Sequence, residues 1–255
     1  MPGGQKWESD GVWVEKAEIH SYDVDLSARM TMESLLKYFQ EAAWNHAEHL
    51  GVGYSHLSRR GQVWLLSRMM VVVDSYPVWG QSVVVRTWPC GSQSLLALRD
   101  FELLDGDGHR LAGATSGWLV YDLRSRRPLR IEPIIEGISR FPEQRALGCE
   151  APKVSAVEMP AASAAFSVKY SDLDLNDHVN NTTYARWILD SYPVDFHHTH
   201  QVQSLAINFL AELAGGDSVE LCTVETKPLC FAHAVRRKID GAHACRAEIN
   251  WQPKH

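Results

Sequence analysis

The chain has 255 residues, 45% of them hydrophobic and 22% charged, and a formal net charge of −6. This is an ordinary globular composition, long enough to bury a core without disulfide or metal staples. The negative balance argues against nucleic acid as the main partner, because phosphate binding needs clustered positive charge.

Residues 12–20 alternate as a strand does. Thr31 is placed to cap a helix in which Met32, Leu35, Leu36, Phe39, Ala43, His46 and Leu50 recur at helical spacing, and Gly51 is placed to end it. His46 and His49 share that helix and read as core. Strand signals follow over 63–74, 82–89, 95–104 and 110–123, with valine runs at 71–73 and 83–85. The stretch 132–163 has no sustained period and interrupts the pattern. A second alternating segment, 164–170, leads to a helix that starts after Asn180, Asn181 and Thr182. That helix buries Tyr184, Trp187 and Ile188 and stops before Pro193. Strand signals resume over 202–213, 218–226, 231–239 and 244–251. The five cysteines are scattered and show no CxxC spacing, so they read as free thiols in a reducing compartment. There is no N-terminal apolar h-region, and no apolar run approaches the about 18 residues of a membrane span. The expectation is a cytoplasmic protein without a membrane span.

The chain repeats itself. YDVDLSARM (22–30) aligns with SDLDLNDHV (171–179), so that Asp23, Asp25 and Leu26 fall on Asp172, Asp174 and Leu175 at an offset of 149. GQSV (80–83) matches GDSV (216–219) at an offset of 136, and the turn Asp105-Gly106 matches Asp240-Gly241 at 135. Extra residues around Gly53 and Gly61 account for the change of offset. Each half reads β-α-β-β-β-β, which implies an α+β protein with an antiparallel sheet packed on one helix. The expected organisation is an N-terminal domain over 1–140, a linker over 141–163 and a C-terminal domain over 164–255.

The copies differ where chemistry would be done. Ser27 and Arg29 stand where the second copy has Asn176 and His178. Only the second copy therefore carries Asp174-x-Asn176-x-His178, between a strand and the start of a helix. Free N–H groups and the helix dipole gather there, and a carboxylate beside an imidazole can activate water or attack a carbonyl. The plainer reading is that Asn180 and Asn181 cap the helix while Asp172 and Asp174 favour its dipole. His197-His198-x-His200 lacks a carboxylate or thiolate at ligand spacing beyond Asp195. No P-loop or dinucleotide motif is present, so no metal or cofactor is expected.

The string YSDLDLNDHVNNTTYARWILD (170–190) resembles the signature D-x-D-x-x-x-H-V-N-N-x-x-Y of hot-dog-fold thioesterases and, more narrowly, of acyl-acyl-carrier-protein thioesterases. LLKYFQEAAWNHAEHLG (35–51), SRRGQVWLLSRMMVVVDSYPVWGQSVVVRTW (58–88) and SLAINFLAELAGGDSV (204–219) resemble the same family. The resemblance implies a tandem hot-dog fold and hydrolysis of fatty acyl-carrier-protein thioesters. It implies Asp174, Asn176, His178 and Glu212 as the catalytic set, with Asp174 as nucleophile or as base for water and backbone N–H groups near His178 and Val179 as oxyanion donors. Leu213 stands where plant members have Cys, so a papain-like mechanism is closed at that position, and the absence of a transit peptide suits a bacterial member. The resemblance also places the acyl-chain tunnel in the first half, with Met32, Phe39, Trp64, Leu66, Met69 and Met70 as candidate lining. The acidic carrier protein would meet one of two basic clusters, Arg124, Arg126, Arg127 and Arg130, or Arg236, Arg237 and Lys238. An acyl-coenzyme A thioesterase, an enoyl-thioester hydratase and a non-catalytic acyl-binding protein are the rival readings. The hydratase pattern D-x-N-P-x-H departs from this chain in spacing and in its Pro. A duplicated chain can act as a monomer or as a homodimer.

Overall fold

A computed structural model describes residues 6–156 and 164–254. The chain divides into two units, residues 1–151 and 152–255. In the first unit, β1 (Lys6–Ser9), β2 (Val12–Glu18), β3 (Gln62–Val73), β4 (Ser82–Gln93), β5 (Leu96–Leu104) and β6 (Arg110–Asp122) form an antiparallel sheet in the order β1-β2-β4-β5-β6-β3. The short β7 (Arg127–Pro128) pairs with the end of β6. Helix α1 (Met32–His49) opens where Thr31 Oγ1 accepts from Ser34 N at 3.1 Å, and Gly51, with φ of 72°, follows its last turn. A four-residue helix, α2 (Tyr54–Leu57), had no counterpart in the pattern.

Helix α1 buries Leu35, Phe39, Ala42 and His46 against one face of this sheet. Phe39 packs on Phe101 of β5 at 5.1 Å between ring centroids. Full burial of one such side chain is worth roughly 1.5–3 kcal/mol. His46 stacks on Trp13 and receives a hydrogen bond at Nδ1 from Arg99 Nη1 at 3.0 Å. Burial and then the Arg99 charge push its pKa down to about 3, so it is a neutral core ring.

A β-bulge decides which side chains of β3 face that helix. The ladder between β3 and β6 shifts register between Leu66 and Arg68. Trp64 and Leu66 pair with Val120 and Trp118, whereas Met69, Val71 and Val73 pair with Ser116, Ala114 and Ala112. Ala114 in turn pairs with Phe101, so all five β3 residues share the helix-facing side. Met70 pairs with Thr115 and lies on the opposite face. Strict alternation from Trp64 would have turned Met70 inward and Met69 outward.

That opposite face is covered by 141–147, which the sequence assigned to the linker. Trp88 Nε1 donates to Gln144 O at 2.8 Å, Phe141 N donates to Pro89 O at 3.0 Å, and Ala146 joins a core with Val12, Val14, Trp88, Cys90 and Leu98. Asp100, fully buried in β5, accepts from Ala146 N at 2.8 Å and pairs with Arg145 Nε at 3.1 Å. The segment 141–151 thus belongs to the first unit, because a buried carboxylate there needs its guanidinium. Residues 152–156 belong to the second, where Asn208 bonds Val154 N and Pro152 O. The rest of the expected linker, 157–163, lies outside the described residues.

In the second unit, β8 (Ala164–Ser167), β9 (His200–Phe209), β10 (Ser218–Lys227), β11 (Cys230–Arg237) and β12 (His243–Pro253) form an antiparallel sheet in the order β9-β12-β11-β10-β8. Helix α3 (Asn181–Leu189) is capped by Asn180 and buries Tyr184, Ala185, Trp187 and Ile188. A short helix, α4 (Val194–Thr199), follows it. Strand β9 ends at Phe209 rather than at 213, because past the Phe209–Cys245 pair Leu210 N and Ala211 N both turn to the one carbonyl of Ala244 and the ladder stops. Glu212 is consequently a loop residue.

Replacing Arg145 with Met is expected to lower stability by about 3–5 kcal/mol, since it strands the buried Asp100 carboxylate. The additional change Asp100→Asn should recover part of that loss. Unfolding curves for Arg145→Met that superimpose on wild type would show that 141–147 does not brace the sheet.

Candidate active site

The motif loop of the second unit is rooted by Asp172, which sits in a 3-10 turn and is buried. Its Oδ2 accepts from Lys169 N at 2.7 Å, its Oδ1 pairs with Arg186 of α3, and its carbonyl accepts from Asn180 N at 2.9 Å. Asp172 therefore ties strand end, loop and helix together instead of serving the helix dipole. Between Leu173 and Val179, which bridge each other, the chain makes a closed turn. Asp174 N donates to His178 O at 2.8 Å, Asp177 N donates to Asp174 O at 3.1 Å, and Asp177 has φ of 62°, a conformation that Asp tolerates better than most residues.

This turn is stitched to the loop after β9. Val179 N donates to Leu213 O at 2.9 Å and His178 bridges Ala214. The stitch brings Glu212 Oε2 to 3.4 Å from His178 Nε2. Both side chains are about half exposed, where an ion pair is worth at most about 1 kcal/mol, so the contact orients the imidazole more than it stabilises the fold. Asp174 Oδ1 accepts from Asn176 N at 2.8 Å, which pins the carboxylate and leaves Oδ2 for other work. The Asn176 side chain is exposed. Beneath the loop, buried Tyr184 has its phenol pKa pushed upward by burial first, then by the neighbouring Cys245, Glu212, Asp217 and Asp174. An acyl thioester facing this loop would meet a carboxylate, an amide and a carboxylate-supported imidazole on one short segment.

Two expectations change here. Val179 N–H was expected to serve as an oxyanion donor, but Leu213 O already takes it. Thr182 and Thr183 N–H are likewise taken by Asn180. Glu212 reaches His178 from a loop and not from a strand. Sequence reading had no sign of the Arg186 partnership. The signal available was the repeat itself, because Asp23 in the first unit is equally buried and is held by Tyr38 Oη at 2.8 Å.

The first unit repeats the frame bond by bond. Asp25 N donates to Arg29 O at 2.7 Å, Asp25 Oδ1 accepts from Ser27 N at 2.8 Å, Ala28 has φ of 57°, Met30 N donates to Pro77 O at 2.8 Å, and Arg29 bridges Val78. The counterpart of Glu212, two residues before the bridge, is Tyr76. The frame is common to both units, and the acid, amide and imidazole set belongs to the second.

Of the tunnel candidates, Met32, Phe39, Leu66 and Met69 are buried, Trp64 is half-buried with Nε1 donating to Val52 O at 2.7 Å, and Met70 is set apart on the far face. The bulge at Leu66–Arg68 is the physical reason that Met70 parts from the other five. The two basic clusters also separate. Arg236 pairs with Glu220 at 3.3 Å and Arg237 with Asp240 at 2.7 Å, whereas Arg124, Arg126, Arg127 and Arg130 are exposed and, among the described residues, carry no ion pair. His197 Nε2 meets Leu189 O at 3.0 Å and the His200 ring stacks on Phe196.

Residues 10–138 match the Acyl-ACP thioesterase N-terminal domain, and residues 157–253 match the Acyl-ACP thioesterase C-terminal domain. The chain is similar to a chloroplastic palmitoyl-acyl carrier protein thioesterase of Gossypium hirsutum, 30% identical over 267 residues that cover 96% of this chain and 64% of the relative. It is also similar to oleoyl-acyl carrier protein thioesterase 1 of Arabidopsis thaliana, 28% identical over 283 residues, 96% of this chain and 77% of the relative. The chain thus spans less than two-thirds of the Gossypium protein's length. Among solved structures, an acyl-ACP thioesterase from Bacteroides thetaiotaomicron superposes with a TM-score of 0.84 at 26% identity, covering 95% of this chain and 98% of that one. The 12:0-ACP thioesterase from Umbellularia californica gives 0.83 at 25% identity, covering 97% and 100%. With matched domains over both halves and two sheets that each pack on one helix, the chain belongs to the acyl-ACP thioesterase family and has its tandem hot-dog fold.

Proposed function

We propose that this chain hydrolyses the thioester of fatty acyl groups held on acyl carrier protein, releasing free fatty acid, with the motif loop of the second unit as the reaction centre. The observation that carries this reading is the stitch between the two loops, which sets Glu212 3.4 Å from His178 on the same turn that pins Asp174. Asp174 Oδ2 takes a proton from water as the water oxygen attacks the thioester carbonyl. The tetrahedral intermediate then expels the thiolate, which receives a proton from His178, while Glu212 steadies the imidazolium. The proton held by Asp174 returns to the imidazole to close the cycle. With Val179 N–H engaged, the Asn176 amide is the donor offered to the carbonyl oxygen. Leu213 supplies no thiol, so water and carboxylate chemistry replaces a cysteine route at that position. Cofactors have no part in the scheme.

The acyl chain is assigned to the first unit, between α1 and the face of β3 that carries Trp64, Leu66 and Met69. Met is well suited to such a lining because its side chain adapts to a flexible guest. An acyl-coenzyme A thioesterase would use the same chemistry and differ only in the carrier.

Asp174→Ala and His178→Ala should each reduce kcat by about 100- to 10,000-fold while melting as wild type does; full turnover in both would remove the loop from the mechanism. Thiol release measured on acyl-carrier and acyl-coenzyme A substrates side by side should favour the carrier, and a preference for coenzyme A would reassign the substrate. Met69→Trp should shorten the preferred chain whereas Met70→Trp should leave it alone. Identical product profiles for the two would reject the tunnel position.

A further inference from the structure

Two arginine-bearing segments that lie far apart in the chain are drawn together on the first unit. Arg59 and Arg60 sit in a 3-10 turn, Ser58–Arg60, directly after Leu57. Arg124 and Arg126 lie in the turn joining β6 to β7, Arg127 lies in β7, and Arg130 follows it. A hydrophobic cluster of Leu57, Val120, Ile131 and Ile135 locks the segments to each other, since Leu57 precedes one and Ile131 ends the other. Leu123 N donates to Gly61 O at 2.9 Å, and a Cβ built on Gly61 would stand 3.7 Å from Arg124 Nε. All six arginines are exposed and, among the described residues, none carries an ion pair. Asp122, the acid of this turn, directs its Oδ1 to the N–H groups of Arg124 and Ser125. Leu123, 55% exposed, lies between the two segments, next to Arg124 in the chain and bonded to the Gly61 that follows Arg60.

We propose that Arg59, Arg60, Arg124, Arg126, Arg127 and Arg130 form one docking surface, and that its occupant is the acidic carrier protein. The assignment of occupant rests on the substrate reading above. Six guanidinium groups gathered around a single acid, Asp122, whose charge Arg124 feels, are a local exception on a chain of net charge −6 and select for a partner of opposite sign. Arginine forks suit carboxylates, and an apolar centre with a charged rim is the usual anatomy of a protein interface. The second basic cluster is not such a surface, because Arg236 and Arg237 already face Glu220 and Asp240.

The test compares Arg59→Glu/Arg60→Glu and Arg126→Glu/Arg127→Glu with the control Arg237→Glu/Lys238→Glu, which changes charge equally elsewhere. KM for acyl-carrier protein should rise about tenfold or more in the two patch variants, with kcat held and a flattened salt dependence. KM for an acyl-pantetheine thioester, which lacks the carrier, should stay at the wild-type value and also reports intact folding. Equal KM changes on both substrates, an equal change in the control, or no change at all would overturn the proposal. Direct binding of holo-carrier protein by fluorescence anisotropy separates this proposal from the functional one. Binding without cleavage by the wild-type chain would retain the docking surface and defeat the activity. Cleavage that patch reversal leaves untouched would do the opposite. Patch-dependent binding to phosphatidylglycerol vesicles but not to the carrier would reassign the surface to a lipid and overturn its proposed occupant.

Discussion

The carboxylate of Asp172, buried between Lys169 N–H and the Arg186 guanidinium, sets the path of everything that follows it in the second unit. Its backbone carbonyl receives Asn180 N–H, so the two ends of the motif loop are closed whatever side chains the loop displays. Removing one partner from a buried pair costs about 3–5 kcal/mol, and the one-third exposure of Arg186 moves this pair toward the lower figure. That is a large share of the 5–15 kcal/mol that typically separates folded from unfolded chains. The motif loop is therefore precise because its root is structural, and the residues at its tip are left free to be polar and exposed.

The first unit uses the same device with a different partner. Asp23 is held by Tyr38 Oη and His20 N–H, and the loop above it closes with the same set of backbone bonds as its counterpart. What differs is the side chains that the frame displays. Ser27, Arg29 and Tyr76 replace Asn176, His178 and Glu212. At the facing loop, Val78 and Trp79 replace Ala214 and Gly215. Gly215 is constrained as well, because a Cβ there would come within 3.2 Å of Leu173 Cδ1. Trp79 is 63% exposed at the matching place. Duplication preserved a backbone scaffold, which is set by local bonds, while the functional groups diverged with no effect on those bonds.

Charge follows the same separation of scaffold from surface. The net charge describes the average surface and sets solubility, but recognition depends on where charges go unneutralised. Both basic clusters look alike in sequence. In the fold, cross-strand Glu220 and the turn residue Asp240 pair with the arginines of one, and a hydrophobic cluster assembles the other together with Arg59 and Arg60.

Much of the molecule was legible from residue patterns alone. Thr31 and Asn180 read as caps and are caps, because capping is a contact over two or three residues. The strands fell within a few positions of their bounds, since alternation reports which face of a sheet is buried. Asp174, Asn176 and His178 were recognisable as a set because they occupy one short turn and differ from their counterparts in the repeat. The sequence by itself thus determined the duplicated α+β architecture and the segment that carries the candidate chemistry, both of which depend on near neighbours. Only the tertiary structure decided that Met69 faces the helix and Met70 does not, that 141–147 braces the first unit through Arg145, that Glu212 meets His178 from a loop, and that Leu213 O occupies Val179 N–H. Each of these turns on a register shift or on a contact between residues that lie tens of positions apart, where no local preference of the chain can specify the partner.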